Sequence, residues 1–113
     1  MPAAQSIADE LRSIDSRTAQ DAKLTSDELD QWLAGVPEWI VDGQEIVRIF
    51  SFEDFAATMK FVNAVAAVAE KENHHPDMQV SYNRCVVKFS THDAGGLTIK
   101  DLICAAKVDA INP

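Results

Sequence analysis

The chain has 113 residues, and its 18 acidic and 10 basic side chains give a formal net charge of −8. Apolar residues make up 47% and charged residues 25%, which is typical of one globular domain that folds without disulfides or metals. The acidic balance argues against binding to a nucleic-acid backbone, which requires clustered lysine and arginine. No apolar run approaches the roughly 18 residues that a membrane span needs.

The N-terminus and the cysteines both favour a cytoplasmic protein. Residues 1–6 have neither the basic region nor the apolar region of a secretory signal, so we expect none. Cys85 and Cys104 lie nineteen positions apart and form no Cys-x-x-Cys pair, so their spacing predicts neither a zinc site nor a redox motif. We expect two buried free thiols in a reducing compartment.

We predict two regions, an N-terminal extension over residues 1–24 and a single domain over residues 25–113. In the extension, Ile7, Leu11 and Ile14 follow each other at i, i+4 and i+7, which gives a weakly apolar helical face. Two alternatives remain open at this point. The extension is either a short helix that docks on the body or on another subunit, or a disordered terminus.

Two helices are predicted in the first part of the domain. The capping pattern of Thr25 and Glu28 begins the first, and Gly35 helps to end it. Ser51 is expected to cap the second, a long helix over residues 52–72 with apolar residues around much of its surface. This long helix must end before Pro76, because the residue that precedes a proline is disfavoured in the α conformation.

Two β-hairpins are predicted, one on either side of the long helix. The first covers residues 38–50 around the Asp-Gly pair at positions 42–43, which favours a type I′ turn because both central residues need positive φ. The second covers residues 78–90 around the Asn-Arg pair at positions 83–84. Alternation in its second strand directs Cys85, Val87 and Phe89 toward the core.

A last helix begins near Thr98, so the order of elements is α-β-β-α-β-β-α. Strands that come as hairpins form an antiparallel sheet, and the helices must then cover one face of it. The predicted fold class is therefore α+β, a two-layer sandwich with a four-stranded antiparallel sheet and three helices on one face. Trp39 is most simply a core residue of this sandwich.

All three histidines lie at the ends of predicted elements: His74 and His75 where the long helix meets a strand, and His92 where another strand meets a loop. Imidazoles suit proton transfer near neutral pH, so acid–base catalysis without a metal is one interpretation. A His₃ metal site is a second, although adjacent histidines on an extended strand point to opposite faces. A third is structural, with each ring satisfied by backbone groups. The spacing alone leaves all three open.

One long motif contains the histidines at fixed intervals. In this sequence it reads Glu70-Lys71-Glu72-Asn73-His74-His75-Pro76, then five residues, Tyr82, nine residues, His92, eight residues and Asp101. This motif resembles the signature of the pterin-4a-carbinolamine dehydratases. Upstream segments are similar to the same family, among them Leu33-x-x-Val36-Pro37-x-Trp39 and Phe52-x-Asp54-Phe55. The resemblance covers residues 25–113 and implies the same sheet and helix arrangement.

The resemblance also implies a reaction, the loss of water from 4a-hydroxytetrahydropterin to give quinonoid dihydropterin. Hydroxide is a poor leaving group until it is protonated, and a ring N–H proton must leave as the new C=N bond forms. The step therefore needs an acid and a base, and it implies neither a cofactor nor a metal. Acid–base help of this kind is worth about 10²–10⁴-fold in rate.

By the same resemblance, His75 is the acid that protonates the departing hydroxyl, while His74 and His92 contact the pterin and one of them serves as base. The implied substrate-binding residues are His74, His75, Pro76, Thr91, His92 and Asp93. Two carboxylates support the site, each with a plainer alternative. Glu70 can orient His74 from one helical turn away or be a solvated charge, and Asp101 can support catalysis or cap the last helix.

The family has non-catalytic members, so a second function stays open. The alternative is a binding module on the same scaffold, acting as a dimerisation cofactor or an assembly factor; the retained histidines favour the enzyme. Met78 departs from the aromatic residue that relatives often carry there. The expected partners are a small pterin substrate and copies of the chain in a homodimer or homotetramer, with no nucleic acid and no membrane.

Overall fold

The computed structural model describes residues 4–111, which contain four α-helices and four β-strands. The helices are α1 (Ala4–Ser13), α2 (Ser26–Leu33), α3 (Phe55–Glu72) and α4 (Ile99–Asp109), with single turns of 3₁₀ helix at Ser16–Thr18 and His92–Ala94. The strands are β1 (Ile40–Asp42), β2 (Glu45–Ser51), β3 (Asp77–Ser81) and β4 (Arg84–Phe89).

The four strands form one antiparallel sheet in the order β1-β2-β4-β3, which confirms the predicted α+β fold. The two hairpins meet through their long strands, because Ile46 of β2 is opposite Phe89 of β4 and Phe50 is opposite Cys85. These four side chains are buried on one face of the sheet, as a side-chain period of two requires. The helices cover that face and leave the other face uncovered within the described residues.

The N-terminal extension supplies one helix more than the predicted order contained. Leu11 of α1 is fully buried and joins the main hydrophobic core. The contact with α2's end is close: a Cβ on Gly35 would lie 2.8 Å from Cγ2 of Ile7 and 2.9 Å from the backbone nitrogen of Ala8. Of the two alternatives for the extension, the structure therefore shows a docked helix.

The long helix α3 begins later than predicted. Ser51 does not cap it, because Ser51 is the last residue of β2 and pairs with Arg84. Asp54 is the cap instead, and its Oδ1 accepts a 2.8 Å hydrogen bond from the backbone N–H of Ala57. A carboxylate accepts this bond well and also interacts favourably with the positive end of the helix.

Both hairpin turns are displaced by one residue from their predicted places. The first two-residue loop is Gly43-Gln44, because Asp42 still pairs with Glu45. Only Gly43 has a positive φ there, 63°, so the type I′ prediction is wrong; glycine at the first loop position is the pattern of a type II′ turn. The second loop occupies positions 82–83, between paired residues of β3 and β4.

Helix α4 lies in the interior of the helical layer and carries most of the core from that side. Seven of its residues are buried, and Leu102, Ile103 and Cys104 have no exposed surface. Near its end, Oδ1 of Asp109 accepts 2.8 Å hydrogen bonds from Nε1 of Trp39 and Nη1 of Arg48. Burial nevertheless raises the pKa of Asp109 above its ordinary value.

Two further sequence expectations concern the cysteines and the membrane. Cys85 and Cys104 are both free and buried, as predicted. No helix within residues 4–111 combines the length and the apolar character needed to cross a bilayer.

We predict that Cys104 makes stability fall at alkaline pH. Burial raises its pKa from 9.0 to about 12, so the thiol ionises in the unfolded chain before it ionises in the fold. The contribution of the protonated Cys104 thiol to the free energy of unfolding is therefore complete below pH 9.0, and it is lost as the pH rises from 9.0 toward about 12. The excess unfolding free energy of wild type over Cys104→Ala should shrink by up to about 1.4 kcal/mol per pH unit in urea titrations.

The matched control for this titration is Ile103→Val, because Ile103 is the fully buried neighbour and has no titratable group. Its stability difference from wild type should stay constant over the same pH range. A Cys104→Ala difference that is equally constant would contradict the prediction.

Candidate functional site

The two segments that carry the histidines lie at the same end of the sheet. His74 and His75 precede β3, and His92 follows β4. Because Asp77 at the start of β3 is opposite Lys88 near the end of β4, the antiparallel pairing brings the two loops together. The topology thus joins positions separated by about seventeen residues of sequence.

A left-handed residue sets the direction in which the first loop leaves α3. Asn73 has φ 52° and ψ 42°, the conformation expected of a helix C-terminal residue. The backbone N–H of His74 then donates to the carbonyl of Ala69 over 3.1 Å. The chain turns here, so His74 does not continue the helical face of Glu70.

The side chain of His74 is nearly buried and contacts a carboxylate and an aromatic ring. Its side chain is 12% exposed, and Nε2 lies 2.6 Å from Oδ1 of Asp101. The imidazole is also stacked on the ring of Phe89, with 5.9 Å between centroids and 10° between planes. A charged partner on one edge and an aromatic face below fix both the rotation of the ring and the nitrogen that meets the carboxylate.

The carboxylate of Asp101 is fully buried and joins three elements of the site. Its second oxygen, Oδ2, accepts hydrogen bonds from Oγ1 of Thr91 over 2.8 Å and from the backbone N–H of Thr98 over 3.0 Å. The bond to Thr98 completes a capping box, as the plainer interpretation of Asp101 predicted. The bond to His74 is additional, so capping and histidine contact belong to one carboxylate.

The other two imidazoles face solvent. Nε2 of His75 lies 2.9 Å from Oε2 of Glu70, and their side chains are 58% and 77% exposed. The prediction that Glu70 orients His74 is therefore wrong: the turn at Asn73 gives the carboxylate to His75. Nε2 of His92 lies 3.3 Å from Oγ of Ser90.

Each of the three histidines thus has its own partner, namely Asp101, Glu70 and Ser90. The remaining predicted residues lie next to the histidines in sequence: Pro76 is half-buried before β3, and Asp93 is exposed in the short 3₁₀ turn after β4. Among the described residues, no three side chains of histidine, cysteine, aspartate or glutamate come together as metal ligands.

Some contacting residues had no separate signal in the sequence analysis. Phe89 was predicted only as an inward residue of β4, and its alternation gave no hint that an imidazole would stack on it. Ser90 lies two positions before His92, a spacing too common to identify. Thr98 was expected to begin α4, and its spacing of three from Asp101 predicted the capping box. The contact between the hydroxyls of Thr91 and Thr98 had no signal in the sequence.

A family model and individual relatives assign the chain to the same protein family. The sequence family described as Pterin 4 alpha carbinolamine dehydratase matches residues 22–111. A protein of Chromobacterium violaceum is 51% identical over 88 residues, which cover 78% of this chain and 82% of the relative. A protein of Stenotrophomonas maltophilia is 50% identical over 97 residues, which cover 84% of each chain. Both relatives are provisionally named pterin-4-alpha-carbinolamine dehydratase.

Solved structures agree with this assignment of the fold. A transcriptional coactivator/pterin dehydratase from Brucella melitensis superposes with a TM-score of 0.76 at 38% identity and covers 80% of this chain and 99% of its own. A pterin dehydratase-like RuBisCO assembly factor of the alpha-carboxysome has a TM-score of 0.55 at 23% identity, with 65% of this chain and 84% of that chain covered. The second likeness concerns the fold alone.

We predict that Asp101→Asn destabilises the protein by about 1–3 kcal/mol. In asparagine an N–H₂ group replaces one of the two acceptor oxygens, so a donor faces either Thr91 and Thr98 or Nε2 of His74, and the charge that strengthens these hydrogen bonds is lost. The free energy of unfolding in urea measures the effect. Asp93→Asn, an exposed change in the neighbouring loop, should stay within about 0.5 kcal/mol of wild type. Equal losses in both variants would contradict the prediction.

Proposed function

Because the chain belongs to the pterin-4a-carbinolamine dehydratase family, we propose that it is a hydro-lyase that converts 4a-hydroxytetrahydropterin to quinonoid dihydropterin in tetrahydropterin recycling. The observation that supports this most is the end of the sheet described above. There a buried carboxylate holds His74 while His75 and His92 remain open to solvent. Three imidazoles with unequal surroundings suit a reaction that needs both an acid and a base.

The chemistry is a balanced loss of water. The C4a–O bond breaks as the hydroxyl takes up a proton and leaves as water. A ring N–H gives its proton to a base, and its electrons form the new C=N bond. No oxidation state changes, so proton transfer at two positions of one flat heterocycle is all that the protein has to supply.

We assign the acid role to His75. Its exposed ring can meet a substrate and exchange protons with solvent, and the carboxylate of Glu70 lies 2.9 Å from Nε2, where it orients the ring. His74 meets Asp101 through Nε2, which leaves Nδ1 as the nitrogen for the pterin. His92 contacts the pterin from the other loop, and either His74 or His92 is the base.

Pro76, Thr91 and Asp93 complete the proposed binding site. Pro76 restricts the loop that follows the two adjacent histidines. Thr91 is anchored to Asp101 through its hydroxyl, so the loop that carries His92 begins from a fixed point. Asp93 is exposed beside His92, and we assign it a contact with the substrate.

A non-catalytic binding module is the second candidate function. It is favoured by one specific observation, that the similar structure from Brucella melitensis, at 38% identity, is described as a transcriptional coactivator/pterin dehydratase. The two functions make different demands on the histidines. Catalysis requires their imidazoles, whereas a docking scaffold does not.

The proposed setting is the cytoplasm, and the proposed partners are a pterin substrate and further copies of the chain. Two buried free thiols suit a reducing compartment, and the net charge of −8 disfavours nucleic acid. Apolar side chains on α3 stay exposed in the single chain, with Phe55 at 49%. A homodimer or homotetramer would cover such a surface.

We predict that His75→Ala lowers the rate of dehydration of synthetic 4a-hydroxytetrahydropterin by at least about 10²-fold, because the departing hydroxyl loses its acid. The absorbance change on dehydration measures this rate. Circular dichroism should show an unchanged fold, since the His75 side chain is exposed.

The control for this experiment is Lys60→Gln, an exposed change on α3, which should keep wild-type activity. Wild-type protein dialysed against EDTA should also stay active. An unchanged rate in His75→Ala would contradict the assignment, and a loss after EDTA that zinc restores would favour a metal-dependent reaction instead.

We predict that light scattering at micromolar concentration gives two or four times the mass of one chain. If α3 forms the interface, Phe55→Lys should shift the population toward the monomer because it places a charge in a buried contact. Ile49→Lys is the matched variant, since Ile49 is similarly exposed, at 56%, on the uncovered face of the sheet. A strict monomer in wild type would contradict the prediction.

A further inference from the structure

The last residue of α3 is held by the N-terminal extension and by α4 together. Glu72 is 3% exposed, and its Oε1 accepts hydrogen bonds from the backbone N–H of Ser16 over 3.0 Å and from Nζ of Lys107 over 2.8 Å. The backbone carbonyl of Glu72 accepts a third bond, from Oγ of Ser16 over 2.9 Å. Lys107 also donates to the carbonyl of Ile14, which closes the network.

This network satisfies groups that a helix end usually leaves to solvent. The last four carbonyls of an α-helix have no partner within the helix, and here Ser16 supplies one from outside. The Glu72 carboxylate is buried, and Lys107 neutralises it at hydrogen-bond distance. Loss of a donor would leave a buried charge short of partners, so the network holds the position of Glu72 strongly.

Only Asn73 separates Glu72, the centre of this network, from His74. The left-handed Asn73 fixes the turn, and the His74 ring is then held by Asp101. Asp101 and Lys107 are both on α4, so one rigid helix holds the histidine and the helix end that precedes it. A shift of Glu72 would therefore move His74 relative to the carboxylate of Asp101, which α4 keeps in place.

The same extension reaches the loop that carries His92. The backbone N–H of Leu24 donates to the carbonyl of Leu97 over 2.8 Å, and Asp21 pairs with Lys100 over 2.6 Å. A Cβ on Gly96 would lie 2.9 Å from Cε of Lys23, so this side chain lies directly on the loop. The extension contacts both histidine-bearing segments, although most of it precedes the matched residues 22–111.

We propose that the N-terminal extension is a positioning element for His74, and that Ser16 and Glu72 are its positioning residues. The extension contributes no group to the chemistry. It sets the place of the helix end from which the histidine loop begins. This inference rests on the proposed dehydratase function for its kinetic consequence, and on the hydrogen-bond network alone for its structural consequence.

The test compares Ser16→Ala with Ser13→Ala in the full chain. Ser16→Ala removes the hydroxyl that binds the Glu72 carbonyl, whereas Ser13 is exposed in the same extension and its hydroxyl binds only the carbonyl of Glu10. Three quantities are measured: kcat/KM for 4a-hydroxytetrahydropterin, the NMR resonances of the His74 imidazole, and hydrogen exchange of the His74 backbone amide.

We expect Ser16→Ala to lower kcat/KM roughly tenfold, below the 10²-fold that a 1 Å misplacement can cost. The His74 resonances should shift and its amide should exchange faster, because the bond from this amide to Ala69 ends the same helix. Ser13→Ala should match wild type in all three. If Ser16→Ala does not fold, Lys107→Gln weakens another bond of the network, the one to the Glu72 carboxylate, and should change the same His74 signals.

Unchanged His74 resonances and amide exchange in Ser16→Ala would overturn the proposal, as would equal changes in both serine variants. If wild-type protein does not dehydrate the pterin, the proposed function fails, and the two NMR measurements still decide whether the extension positions His74.

Discussion

The buried carboxylate of Asp101 is the interaction on which the rest of this site depends. It caps α4 through Thr98, binds the hydroxyl of Thr91 and meets Nε2 of His74. His74, the loop that begins at Thr91 and the start of α4 therefore share one charged group that has no exposed surface. Because a buried charge is tolerated only when its hydrogen bonds are made, this arrangement leaves little freedom to the loops that carry the histidines.

Helix α4 gives that carboxylate its fixed position. Its apolar residues fill the centre of the helical layer, and its polar residues are used at defined points along its length. Asp101 holds His74 at its beginning, Lys107 holds Glu72 further on, and Asp109 receives Trp39 and Arg48 near its end. The helix is thus both the core of the fold and the support for the site.

The unequal surroundings of the histidines follow from this support. His74 is close to the core and constrained on two sides, whereas His75 and His92 lie at the surface with single polar partners. The proposed dehydration moves one proton onto a flat substrate and takes another off it, and one fixed imidazole beside two exposed ones suits these two transfers. The same geometry explains why neighbouring residues such as His74 and His75 do not share a carboxylate.

Local patterns in the sequence predicted the fold class, the two hairpins, the inward residues of β4 and the end of α3 before Pro76, because periodicity, turn residues and caps act over a few positions. It also identified the family through the spacing of the histidines. Where two neighbouring residues could fill the same role, the prediction chose the wrong one. Asp54 caps α3 in place of Ser51, and Gly43 is the first residue of its turn in place of Asp42.

Contacts formed in the folded chain determine which carboxylate serves which histidine and whether the extension docks. The pairing of His74 with Asp101 and of His75 with Glu70 depends on how the chain turns at Asn73 and on how α4 lies against the sheet. The docking of Ser16 on Glu72 joins residues 56 positions apart. Local patterns do not predict such contacts, because each one forms only after the turns and the packing of the chain bring two polar groups within hydrogen-bond distance.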